Sequence, residues 1–144
     1  MIIIIDGDAC PSIPLIESKA KEFQVQVIIF CDLNHYIQSD YSEVKEVDSG
    51  FQSVDMYVVN TLEKGDIIVT QDYGVAAMCL GKAKGILNPS GHMYTEDNID
   101  RLLEKRHTNQ KIRRGGGRTL NPRKRTSEDV KRLLKNFEYL LSAT

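Results

Sequence analysis

An unbroken apolar run that stops at two acids constrains this chain most: IIIIDGDACP, residues 2–11. A strand with one face in water alternates apolar and polar residues. Residues 2–5 are all isoleucine, so both faces of this strand are expected under cover, as in the middle of a parallel sheet. VQVIIFCD (25–32) and DIIVTQD (66–72) share the pattern. Weaker strands are expected near residues 44–47 and 85–88. The segments around them carry helical signals. CPSIPLIESKAKEF has two prolines near a first turn and an apolar face of Leu15, Ile16, Ala20 and Phe23. SVDMYVVNTLEKG repeats Val54, Val58 and Leu62 and ends at Gly65. YGVAAMCLGKAKG reads as a short helix, and TEDNIDRLLEKR as one with Thr95 as N-cap. SEDVKRLLKNFEYLL is amphipathic, with Val130, Leu133, Leu134, Phe137, Leu140 and Leu141 on its buried face. Strands alternating with helices predict βαβ units, an α/β fold with a mostly parallel central sheet.

A chain of 144 residues suits one domain with a real core. No apolar run approaches the roughly 18 residues of a membrane span, and no basic n-region precedes the first apolar run, so neither a span nor a signal peptide is expected. Cys10, Cys31 and Cys79 are odd in number and lack CxxC spacing. That argues against a disulfide framework or a zinc site and for a reducing, cytoplasmic setting. The net charge of −1 hides a division: residues 1–100 carry 6 Lys or Arg against 16 Asp or Glu, whereas residues 101–144 carry 13 against 4. A polyanionic partner for the basic segment and neutralisation of the acidic body are both compatible with it.

In open parallel sheets ligands bind beyond the carboxyl ends of the strands. There the first strand places Asp6 and Asp8, the second Asp32, and the third Thr70, Gln71 and Asp72. Asp55 opens a later helix. Like charges brought together repel unless a cation lies among them, and carboxylates without a His or Cys set select a hard ion such as Mg²⁺ or Mn²⁺. Taken singly, Asp55 also suits a helix start, and the pair around Gly7 also suits a turn. Asp66 begins a strand and belongs at the other end of the sheet.

These residues resemble the PIN-like nuclease superfamily, whose members place an acid after the first strand, another on a later helix, and a T-x-D motif after a central strand. The counterparts are Asp6 with Asp8, Asp55, and Thr70-Gln71-Asp72. The chain is more closely similar to the YaiI/YqxD family of bacterial proteins. DGDACP, NHY, VDSGFQSVDMYVV, GDIIVTQDYGVAA, NPSGHMYTEDNID and RRGGGRT follow one another in order almost end to end. Where that family has a glycine–proline turn after Arg118-Thr119, this chain has Leu120-Asn121-Pro122. The resemblance implies a single three-layer, PIN-like domain.

Arg113, Arg114 and Arg118 flank three glycines in a segment, near 108–126, that reads as loop. Glycine permits close approach of backbone to phosphate, and guanidinium forks match phosphate oxygens. The leading expectation is a divalent-metal-dependent phosphodiesterase acting on nucleic acid, RNA rather than DNA. Asp6, Asp8 and Asp72 would hold Mg²⁺ or Mn²⁺, and Asp55 would complete the catalytic cluster. Thr70, Arg113, Arg114 and Arg118 would hold the substrate. The alternatives are a catalytically weak PIN-like module binding RNA or protein, and an aspartyl-phosphate phosphatase using Asp6 and Asp8. His35, His92 and His107 receive no catalytic role, and Cys10 has no activating base in view.

Overall fold

In the computed structural model, residues 1–7, 10, 12–33, 37–48, 54–104 and 126–142 are described. Along the chain they form β1 (Ile2–Asp6), α1 (Ile13–Glu22), β2 (Gln26–Asp32), β3 (Glu43–Val47), α2 (Val54–Thr61), β4 (Ile67–Val69), α3 (Tyr73–Cys79) and β5 (Gly85–Leu87). A helix at residues 96–104, α4, and α5 (Ser127–Ser142) follow. The strands form one sheet in the order β3-β2-β1-β4-β5, and each neighbouring pair is parallel. The isoleucine run therefore lies in the middle strand, and Ile3, Ile4 and Ile5 are fully buried.

Each face of the sheet has its own core. Ile4, Ile28, Phe30 and Ile68 pack with Val54 and Val58 of α2, Val75 and Ala76 of α3, and Ile99 of α4. Ile3, Ile5, Ile29, Ile67, Val69 and Leu87 pack with Ile16 and Ala20 of α1 and with Leu133, Phe137, Leu140 and Leu141 of α5. Helices on both sides of a parallel sheet give the three layers that the uninterrupted runs require. Among the described residues no helix is long and apolar enough to cross a membrane.

The expected elements differ from the structure mainly at their ends. α2 stops at Thr61, before Gly65, although Leu62 remains buried. Gly65, at φ +93°, then turns the chain into β4. α3 stops at Cys79, well short of Gly85; its exit turn returns to the sheet where the Lys84 N–H donates to the Asp66 carbonyl at 2.8 Å. In α5, Val130 and Leu134 are only half-buried, at the borders of the apolar face. Asp66 does belong to the other end of the sheet. It is 4% exposed, and its carboxylate accepts the backbone N–H groups of Ile2 and Glu63, both at 2.9 Å. Those two bonds account for a buried charge without a catalytic role.

Candidate active site at the carboxyl end of the sheet

Alternation along a strand decides where the acids point. Ile4 faces the α2–α3 side, so Asp6, two residues on, faces the same side beyond the core. Residues 68 and 70 repeat this in β4, as do Phe30 and Asp32 in β2. Ile5 is in register with Val69, so Thr70 stands beside Asp6. The Thr70 hydroxyl donates to Asp6 Oδ2 at 3.3 Å and accepts the backbone N–H of Asp72 at 3.0 Å. One buried hydroxyl thus joins the ends of two neighbouring strands. Thr70, expected at the substrate, is 1% exposed and is committed to this strut.

Asp72 is the N-cap of α3, with extended backbone at φ −85°, ψ 114°. Its Oδ1 accepts the N–H groups of Gly74 at 2.7 Å and Val75 at 3.2 Å. These are orphan donors of a helix start, and they fix the carboxylate's orientation. Asp55 lies in the first turn of α2 and is half-buried. Because β3 ends, and α2 begins, at the carboxyl end of the parallel sheet, Asp55 belongs to the same end of the molecule as Asp6, Asp32 and Asp72. Asp8, Arg113, Arg114, Arg118, His35 and His107 lie outside the described residues. Among the described residues, no group of three His, Cys, Asp or Glu side chains is placed to hold a metal ion.

Gly7 has a reason beyond turn-forming. A β-carbon there would stand 2.7 Å from Ile37 Cδ1, 2.8 Å from Ile29 Cγ2 and 3.0 Å from the Phe30 carbonyl oxygen. The glycine admits the chain after β2 close against the end of β1, directly behind Asp6.

Tyr94 supports the strut from below. It is 5% exposed, donates its hydroxyl to the Thr70 carbonyl at 3.2 Å, and meets Tyr73 edge-on at 5.8 Å between ring centroids. Burial, followed by Tyr73 and the Asp72 carboxylate, pushes its phenol well above the usual 10. The neutral phenol's contribution to folding is therefore intact below about pH 10 and falls away as pH rises beyond it, because the unfolded chain ionises first. Tyr94→Phe should lower stability at neutral pH by about 1 kcal/mol, the worth of one hydrogen bond. It should also flatten the loss above about pH 10 in urea midpoints.

Sequence reasoning missed the clamp that ties this end to α5. After β5, Asn88 Oδ1 accepts the N–H groups of Ser90 and His92, both at 3.0 Å, and Gly91 turns at φ +89°. Arg132 NH1 then donates to the Ser90 carbonyl at 3.1 Å and to Asp129 Oδ1 at 2.8 Å, and lies 3.1 Å from His92 Nε2. Asn136 Nδ2 donates to the Gly91 carbonyl at 2.6 Å. Asp129, 1% exposed, also caps the start of α5 by accepting the Thr126 N–H at 3.0 Å. The visible signals were the NPSGH motif and an acid on the apolar face of the last helix. Their partners are about 40 residues apart, which no local pattern reports.

The chain is 56% identical over 141 residues to a UPF0178 protein of Clostridium tetani, covering 98% of this chain and 97% of the relative. A UPF0178 protein of Clostridium novyi is 57% identical over 142 residues, covering 99% and 95%. One of Clostridium acetobutylicum is 44% identical over 143 residues, covering 98% and 97%. No solved structure matches the chain significantly. The family model described as "Uncharacterized BCR, YaiI/YqxD family" matches residues 4–143, and this chain therefore belongs to the YaiI/YqxD family.

Proposed function

We propose that this protein is a PIN-like, divalent-metal-dependent phosphodiesterase acting on single-stranded nucleic acid, RNA in preference to DNA. The observation that carries the reading is the Asp6–Thr70–Asp72 strut, with Asp55 brought to the same end of the sheet by topology. Two carboxylates held by a buried hydroxyl and a helix cap suit the oxygen preference of Mg²⁺ or Mn²⁺. Asp6 and Asp72 would supply two ligands, and the reading requires Asp8 as a third. When bound, the ion supplies a polarised water and stabilises charge on the scissile phosphate. Asp6 and Asp72 hold their positions through Thr70 and the α3 backbone, and Asp55 would complete the cluster or orient a water on the ion. Arg113, Arg114 and Arg118 hold the phosphate backbone.

Two titrations test this. Millimolar Mn²⁺ or Mg²⁺ should raise the melting temperature, because an ion that binds only the folded chain stabilises it. A melting temperature indifferent to both ions counts against the metal site. Replacing Arg113, Arg114 and Arg118 together by alanine should weaken single-stranded RNA binding and flatten its salt slope by up to about 3 units. An unchanged slope would return those arginines to neutralising the acidic body.

A further inference from the structure

The sheet ends on one side at β3, and among the described residues no strand pairs with its outer edge. The other edge differs: Met93 bridges Leu87, and the Tyr94 N–H donates to the Ile86 carbonyl, so the chain itself shields β5. We infer that β3 pairs antiparallel with β3 of a second copy of this chain, joining two five-stranded sheets about a two-fold axis at Val44.

Charge selects both the partner and the register. The strand reads Glu43-Val44-Lys45-Glu46-Val47, with Glu43, Lys45 and Glu46 exposed and Val44 half-buried. A two-fold axis perpendicular to the sheet keeps each side chain on its own face, so the axis passes through a residue. Centred on Glu43, Lys45 or Glu46, it sets that charge against its own copy, and like charges directly opposite are unfavourable. Centred on Val47, it sets Glu46 against Asp48. Centred on Val44, it sets Glu43 against Lys45 twice, once in each direction, and Val44 against Val44. The Glu43 and Lys45 side chains already lie 3.8 Å apart on one face, half-exposed, with the lysine ammonium 5.9 Å from the centre of the Phe30 ring. Unlike a lone edge lysine, which guards a strand against pairing, the Glu-x-Lys alternation is its own antiparallel complement.

The other face of the strand has room for the partner. A cavity of about 360 Å³ is lined by Ile37, Gln38, Ser39, Ser42, Val44 and Glu46. It lies between β3 and the crossover segment from β2. That segment is held firmly: Ser39 and Ser42 both donate their hydroxyls to Glu17 of α1, and the Tyr41 hydroxyl donates to the Val25 carbonyl. In the Val44-centred register Ser42 stands opposite Glu46 of the second copy, but its hydroxyl proton is already given to Glu17, so the Glu43–Lys45 pairs and not this one select the register. The interface uses none of the carboxyl-end acids and stands independently of the proposed catalysis.

Sedimentation of the full chain should give twice the monomer mass. Lys45→Glu should weaken self-association about tenfold or more, since symmetry turns two attractive pairs into two repulsive ones. The reciprocal exchange Glu43→Lys with Lys45→Glu should restore it. Val44→Cys should form an intermolecular disulfide under mild oxidation, because directly opposed antiparallel positions have the required spacing. A wild-type chain that sediments as a monomer at the highest concentration tested would overturn the inference. So would a dimer whose affinity Lys45→Glu leaves unchanged, or one that the reciprocal exchange fails to rebuild.

Discussion

Gly91→Ala should destabilise the protein by about 3–5 kcal/mol, seen as a fall in the urea midpoint with an unchanged slope. Two costs add. The backbone sits at φ +89°, where an L side chain is strained. A β-carbon would also stand 2.3 Å from the Leu133 nitrogen and 2.6 Å from its α-carbon. These are backbone atoms of α5, so no rotamer change relieves the contact. The helix must move, taking Leu133, Phe137 and Asn136 with it. The melting temperature should drop by roughly 10 °C or more. Gly81→Ala is the control: no atom lies within 4 Å of its β-carbon position, and stability should change little.

Asp6→Asn should lower metal-dependent cleavage by about 100-fold or more while leaving metal-free stability nearly unchanged or slightly raised. Asparagine keeps an acceptor for the Thr70 hydroxyl and loses only the charge. The variant should also lose the Mn²⁺-induced rise in melting temperature. Thr70 separates orientation from charge. On the proposed reading, Thr70→Ser should retain the strut and most of the cleavage, whereas Thr70→Val should leave the Asp72 N–H without its acceptor and lower both cleavage and stability. Asp72→Asn preserves a competent cap on α3, so a loss of cleavage there reports on chemistry rather than on the helix. Full cleavage by Asp6→Asn would remove Asp6 from the site.

The strand runs were legible because they are buried on both faces, and the central position of residues 2–5 followed from that alone. Thr95 was legible as an N-cap for a local reason: its hydroxyl accepts the Asn98 N–H, and Asn98 Oδ1 accepts the Thr95 N–H. The gathering of Asp6 and Asp72 needed the β1–β4 pairing, a topological inference that the parallel sheet made available. The burial of Thr70 was not legible, because a T-x-D motif does not announce which of its two polar side chains is buried. The Arg132–Asp129–His92 clamp was invisible because each partner, read locally, looks like an ordinary charged or turn residue. The helix ends were blurred for α2, where the Asp66 carboxylate holds the Glu63 N–H, and for α3, where the Lys82 and Ala83 N–H groups turn back onto the Cys79 carbonyl.

The central place of β1 also orders assembly in time. β2 reaches one flank of the isoleucine strand across the single helix α1, whereas the other flank pairs with residues 67–69, much further along the chain. Until β4 docks, Ile3, Ile4 and Ile5 present an open backbone ladder beside an apolar surface. With all five strands paired parallel, no strand pair can form by a simple hairpin. Slow closure of that flank, and aggregation through it in the interval, are the expected weak points when the chain refolds.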